Sequence, residues 1–247
     1  MNIIKVLLIK ELLIIKTGIH KISLILFLFP LVLYLFLTIP LSAVVVDMKP
    51  IYMVWSAPGI WIVSTLYMVY LFNFFFYERN FNSEMMMSTP IQPYQYLFFS
   101  YIFSFIIGIL QLIVSILIIS SLNSDYLGFI KLLEIIFIII PGLLFISSLS
   151  CLISFFVKHR FIALFAHIFV FLIICFGIGS FIPLDKFPAD YFRIVQYIPI
   201  TGIILNCQKI ISNEAVFFSF IFISFLYLLL FALINLLLID KSIEGNK

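Results

Sequence analysis

Residues 50–77 read PIYMVWSAPGIWIVSTLYMVYLFNFFFY, a run without one charged side chain. It exceeds the roughly 20 apolar residues that an α-helix needs to cross the hydrocarbon of a bilayer. The run is also continuous, without the period-2 alternation of an outer-membrane strand, so it reads as a membrane helix and not as part of a barrel. The remainder of the chain is just as apolar: of 247 residues 65% are hydrophobic and 10% charged, and the mean hydropathy is +1.30. Soluble domains run at about half apolar and about a quarter charged, and disorder requires low hydrophobicity with high charge. Both classes are excluded.

Charge-free gaps also cover 22–46, 85–124, 135–157, 161–184 and 215–239. Trimmed at polar and proline positions, the gaps predict six transmembrane helices near 22–46, 58–77, 96–121, 135–157, 161–182 and 215–239. The longest gap holds one span, because Ser88, Thr89, Pro90, Gln92, Pro93 and Gln95 belong at a surface. The expected fold is thus an all-α integral membrane protein, with residues 1–247 forming a single transmembrane domain. Pro30 and Pro40 in the first span, and Pro141 with Gly142 in the fourth, are expected to kink or locally unwind their helices. An even number of spans places both termini on one side. That side carries Lys5, Lys10, Lys16, Lys21, Arg79, Lys158, Arg160, Lys241 and Lys247, against Lys49, Lys131, Lys186, Arg193 and Lys209 on the other. The positive-inside rule makes it the cytoplasmic side of a cell membrane.

The net charge of +3 comes with no basic run and no aromatic-plus-basic platform, so no nucleic-acid partner is indicated. Cys151, Cys175 and Cys207 are too dispersed for a disulfide framework or a zinc site and read as small apolar fillers. No small-residue cleavage site closes the first apolar stretch, and lysines interrupt it, which argues against a cleaved signal peptide. The two halves lack matched interrupted helices, against an inverted-repeat secondary transporter.

Three stretches lie outside the spans. The first 21 residues form either an interfacial helix whose lysines reach anionic lipid headgroups, or a simple basic flank. The loop YERNFNSEMMMSTPIQPYQY (77–96) mixes Glu78, Arg79 and Glu84 with Met85, Met86 and Met87 before Pro90. It reads as a short helix across the membrane face whose methionines adapt to a partner's groove, or as an ordinary connector. The segment 183–214 is broken by Pro188 and Pro199 and rich in Tyr and Phe. It reads as two short pieces that dip back into the outer leaflet, where aromatic residues suit the interface.

No Walker-type glycine loop and no Gly-Lys pair occur, so any ATP must be hydrolysed by another polypeptide. His167 is the one histidine inside a span, a functional candidate by default and otherwise a hydrogen-bonded packing residue. Gly177, Ile178, Gly179 and Ser180 lack a nucleophile motif, and His167 on the same helix does not make a dyad with Ser180. Asn73, Gln111 and Asn235 read as interhelical hydrogen-bonding groups rather than ion ligands. No enzyme is expected on this chain.

Pro58-Gly59 at the start of the second span, Glu78-Arg79 at its end, then Glu84-Met85-Met86-Met87-Ser88-Thr89-Pro90, recur in order in the ABC type-2 transporter permeases, which this sequence resembles. Gly177, Pro183-Leu184, Pro188 and Pro199-Ile200-Thr201 are similar to that family's proline-punctuated outer segment. The chain departs from it in having Asn82-Ser83 where Gly-Thr is usual, and a shortened acidic-basic run. The resemblance implies an exporter subunit without cofactors of its own, with ATP and Mg on two copies of a separate ABC ATPase, paired with a second, like or unlike, permease in the lipid bilayer. It implies a cytoplasmic coupling helix at 79–89 (Glu78, Arg79, Glu84, Met85, Met86, Met87, Thr89, Pro90). It further implies outer gate helices at 187–212, with Pro183, Pro188, Tyr191, Phe192, Arg193, Tyr197 and Pro199 as gate residues. Substrates of that family are drugs, peptides, lipids or lipid-linked polysaccharides. The rival reading is a membrane assembly or immunity factor that sequesters a ligand without pumping it.

The charge asymmetry predicts topology directly. In a cysteine-free background, single cysteines at position 125 and within 185–190 should label from outside, and one at position 82 only from inside. Outside labelling at 82 would overturn the orientation.

Overall fold

The computed structural model of the chain describes residues 3–45, 50–81, 93–123, 128–157, 160–217 and 219–244. Among these every regular element is helical. The order is α1 (Ile3–Thr17), α2 (Ile19–Leu33), a π turn (Tyr34–Thr38), α3 (Ile39–Val44), α4 (Tyr52–Trp55), α5 (Ala57–Phe81), α6 (Pro93–Leu122), α7 (Phe129–Phe156) and α8 (Arg160–Leu172). A second π turn (Ile173–Gly177), a 3₁₀ turn (Leu184–Lys186), α9 (Ala189–Val195), α10 (Pro199–Ile211) and α11 (Ser219–Glu244) complete it.

Four stretches are long and apolar enough to cross a membrane: Ile22–Val44, Tyr52–Phe76, Phe98–Leu122 and Phe129–Ser154. The bent pair α9–α10, folded by 104°, raises the number to five if it is one span. The apolar helices Phe161–Gly177 and Phe222–Leu237 are shorter. The boundaries differ from the sequence expectation for local reasons. The short helix α4 precedes the expected start, and α5 begins at Ala57 with Pro58 in its first turn, where no N–H is needed. The segment expected as a span near 161–182 leaves the helix at 178–182, where Gly179 takes φ +88, a left-handed conformation that favours glycine. The one expected near 215–239 begins after a non-helical stretch that contains Asn213 at φ 60.

Burial sorts the helices into a centre and a periphery. Of the Tyr52–Phe76 window 72% is buried, and 67% of Phe129–Ser154, against 28% of Ile22–Val44. Helices α5 and α7 pack on each other, α6 lies along both, and α11 along α7. Helix α8 touches both central helices, α2 packs on α6 and α5, and α1 lies against α6. The core between them includes Ile60, Trp61, Leu66, Val69, Ile139 and Ile204. Peripheral helices turn large apolar side chains outward: Phe161, Phe165 and Phe169 on α8, Phe222, Leu229 and Leu233 on α11. This suits a hydrocarbon solvent as apolar as the core itself. The chain is a membrane protein.

The prolines of the spans are accommodated in different ways. Pro40 lies in the first turn of α3, and the helix widens into the π turn Tyr34–Thr38 just before it. Pro141 sits inside α7, whose helical assignment continues through it without unwinding. Pro30 also lies inside its helix. Having no N–H, it cannot serve the carbonyl four residues earlier, that of Leu26. Gln111 of α6 supplies the missing donor: its Nε2 donates to the Leu26 oxygen at 3.2 Å. The glutamine is thus the cross-helix complement of a proline 81 positions away.

This pairing predicts a non-additive mutant cycle. Gln111→Leu leaves the Leu26 carbonyl unpartnered and should cost about 1–3 kcal/mol in a detergent-denaturation assay. Pro30→Ala restores an N–H within α2, so Gln111→Leu made in that background should cost far less. Equal costs in both backgrounds would refute the complementation.

Candidate functional site

Below the second π turn the backbone leaves the helix and turns through residues 178–182 before Pro183. A helix end leaves its last four carbonyls without intrahelical donors, and this one is largely buried, with Ser180 and Phe181 almost wholly inside. The donors come from side chains. Ser180 Oγ donates back to the Ile174 oxygen. Tyr191 of α9 donates to Gly177 at 2.8 Å, its ring stacked on Phe187 with centroids 4.9 Å apart. Gln208 Nε2 of α10 donates to Gly179 at 3.0 Å. The Tyr52 hydroxyl, at the start of α4, donates to Phe181. Three elements therefore strap one turn, and Gly59 in the first turn of α5 lies so close that a methyl group there would overlap the Ser180 carbonyl.

The straps continue on both sides. The Tyr34 hydroxyl, in the first π turn, donates to Asn123 Oδ1 at 2.9 Å, and Asn123 Nδ2 reaches the Met53 carbonyl of α4 at 3.4 Å. Short helix α4 is thereby fixed between α6 and the 178–182 turn. At the far end of α10, Asn206 brackets the Phe217 peptide, Nδ2 donating to its oxygen and Oδ1 accepting from its N–H, both at 2.9 Å. Lys209 lies 3.5 Å from the centre of the Phe217 ring. Burial of the amide ends and the cation–π contact tie α10 to the entry of α11.

The residues expected at an outer gate divide. Pro183 and Pro199 are buried, Pro199 as the first residue of α10, and Tyr191 is half-buried at the strapped turn. Pro188, which precedes α9, is exposed, as are Phe192, Arg193 and Tyr197. Arg193 lies 3.6 Å from Asp190 on the same helix. Helix α10 is buried over most of its length, packed on α7, α11 and α5. The expected coupling residues Glu84, Met85, Met86, Met87, Thr89 and Pro90 lie outside the described residues. Glu78 and Arg79 fall in the last turns of α5, with their side chains likewise outside.

The polar groups of the spans bond across helices. Asn73 Oδ1 accepts from Ser100 at 2.9 Å. Asn235 Nδ2 lies 3.1 Å from Tyr101 Oη and 2.9 Å from the Ser148 carbonyl. His167 Nε2 is 3.4 Å from Ser154 Oγ, its ring 4.7 Å from that of Tyr70. The strapping residues Tyr52 and Gln208 were not legible as site residues. A lone amide in the uncharged face of α10 is a signal that needs a partner, whereas nothing in the sequence links Tyr52 to a carbonyl 129 residues away.

The family model described as "ABC-2 family transporter protein" matches residues 57–239, from the start of α5 through most of α11. No curated protein and no solved structure matches the chain.

The close approach at Gly59 makes a sharp prediction. Gly59→Val should lower stability by about 1–3 kcal/mol through overpacking against backbone that cannot yield. Gly128→Ala, a position with nothing within 4 Å, should leave the melting temperature in nanodiscs unchanged. Equal melting temperatures for the two variants would show that α5 and the turn are not in contact.

Proposed function

This chain belongs to the ABC-2 family of transporter proteins, and on that premise we propose that it is the permease subunit of an ATP-driven exporter. The observation that carries the reading is the family match over 57–239, a span that includes both the loop after α5 and the strapped turn. The chain crosses the membrane six times, with α8 and α11 completing the count against a second permease, and both termini are cytoplasmic. Its family is a transport component without catalysis of its own that works with an ABC ATPase. Two such ATPases hold ATP and Mg and dock on the loop through Glu78, Arg79, Glu84, Met85, Met86, Met87, Thr89 and Pro90. The cargo is hydrophobic, amphipathic or lipid-linked, and it leaves the cytoplasm.

Helix α5 provides the mechanical link. Its C-terminal end leads into the proposed docking loop and its N-terminal end touches the 178–182 turn at Gly59. At 1.5 Å per residue it is a rod of about 37 Å, buried along most of its length and without proline beyond the first turn. A push on the loop is delivered to the turn as displacement of a packed element, because close-packed interiors transmit strain. Tyr191 and Gln208 then carry it into α9 and α10, which act as the outer gate with Pro183, Pro188, Phe192, Arg193, Tyr197 and Pro199, while Tyr52 ties the turn to α4.

The test is the double variant Glu84→Ala with Met86→Ala. Truncating a well-buried methionine costs about 2–5 kcal/mol, and loss of one partner of an interfacial charge pair costs a comparable amount. No span is touched, so insertion should be normal, while ATPase copurification and substrate-stimulated hydrolysis in reconstituted vesicles should both fall. Retention of both at the unmodified level would make the loop a plain connector and remove the coupling mechanism.

A further inference from the structure

The buried apolar residues gather in two clusters, and the smaller one stands apart from the main core. Its centre is four phenylalanines. Phe72 and Phe76 lie four positions apart on α5, and Phe99 and Phe103 four apart on α6, so each pair shares one helix face. The rings close into a circuit: centroids are 5.7 Å apart for Phe72 and Phe76, 4.9 Å for Phe72 and Phe103, 5.4 Å for Phe103 and Phe99, and 5.6 Å for Phe99 and Phe76. Each separation is that of a favourable aromatic pair. Phe76, Phe99 and Phe103 are buried and Phe72 half-buried. Beside the rings, Ser100 donates to Asn73 Oδ1 at 2.9 Å, adding a directional bond between the same two helices. Leu7 of α1 and Cys151 of α7 complete the cluster.

The quartet stands at the base of a loop. Helix α5 ends at Phe81 and α6 begins at Pro93, so Phe76 and Phe99 lie within two turns of residues 82–92 on either side. In lipid, two apolar helices gain nothing by excluding water, and only specific packing and hydrogen bonds keep them from splaying. Interlocked rings on both helices, with an amide–hydroxyl bond alongside, supply both.

We propose that Phe72, Phe76, Phe99 and Phe103 are positioning residues that clamp the base of the 82–92 loop, so that α5 and α6 move as one hairpin. The clamp's part in coupling rests on the exporter reading, in which an ATPase docks on that loop. A push on a loop between unclamped helices goes into spreading them, whereas a clamped base delivers it to both. Two routes then converge on the 178–182 turn. Helix α5 reaches it at Gly59. Helix α6 reaches it through Asn123, the residue after its end, which bonds the Met53 carbonyl of α4, while Tyr52 of α4 bonds the Phe181 carbonyl.

Dipolar spin-label spectroscopy of the intact protein in nanodiscs, with labels at positions 75 and 98, tests the clamp. Phe75 and Phe98 are exposed, at 43% and 52%, on the two helices that carry the quartet, and neither belongs to it. Phe76→Leu with Phe99→Leu opens the circuit and keeps both helices apolar. The control is Phe145→Leu with Phe231→Leu, a ring pair with centroids 5.5 Å apart between α7 and α11. The quartet variant should roughly double the width of the distance distribution. It should keep the ATPase bound, because the loop is untouched, and lower permease-dependent hydrolysis of Mg-ATP several-fold. The control should leave width and hydrolysis as in the unmodified protein. Phe72→Leu, at the half-buried ring, repeats the comparison in case the double variant does not insert. An unchanged width, a widening matched by the control, or a widening with hydrolysis intact would overturn the clamp. Failure of the exporter reading shows separately, as an ATPase that copurifies undiminished with the Glu84→Ala, Met86→Ala variant.

Discussion

A carbonyl oxygen inside hydrocarbon must find a donor, and where a helix cannot supply one from its own ladder the donor has to come from a neighbour. That requirement organises this protein. Pro30 deprives the Leu26 carbonyl of its helical partner, and Gln111 reaches across from α6 to replace it. The turn after the second π turn exposes the carbonyls of Gly177, Gly179 and Phe181, and Tyr191, Gln208 and Tyr52 arrive from three separate elements to cover them. Each strap fixes the relative position of two helices that apolar packing alone would leave free to slide, since lipid offers the same contacts as a neighbouring leucine.

The straps are concentrated at one end of the bundle, and their placement gives the fold its mechanical character. Helices α4, α9 and α10 and the end of α8 are joined there through backbone-directed hydrogen bonds, which are short and directional. Gly59 brings the start of α5 against the same turn, a contact possible only without a side chain. The opposite half is joined differently, through serine hydroxyls, two asparagines and a histidine.

What was legible in the sequence follows from solvent chemistry. A charge-free run too long for a soluble core can only be placed in a bilayer, so the helical membrane class, the first four spans and the family could be read from composition, gap length and ordered motifs. Pro188 and Pro199 marked where the chain between the last two apolar helices had to break, and α9 and α10 flank that break. The expected orientation rests on the asymmetry of lysine and arginine, because the packing of helices does not encode it.

Tertiary structure alone decided which helices are central and which residues meet. In a soluble protein the apolar face of a helix points to the core; here every face is apolar, so nothing in the periodicity of α5 or α7 distinguishes them from α2 or α11. Isolated polar residues were visible as exceptions, but their partners were not. Gln111 and the Pro30-deprived carbonyl, or Tyr52 and Phe181, are brought together by the crossing of helices and not by spacing along the chain. Helix ends behaved likewise, because a helix in hydrocarbon stops where its last carbonyls can be satisfied, as the π turn that follows α8 does at Gly177, and not where its apolar run stops.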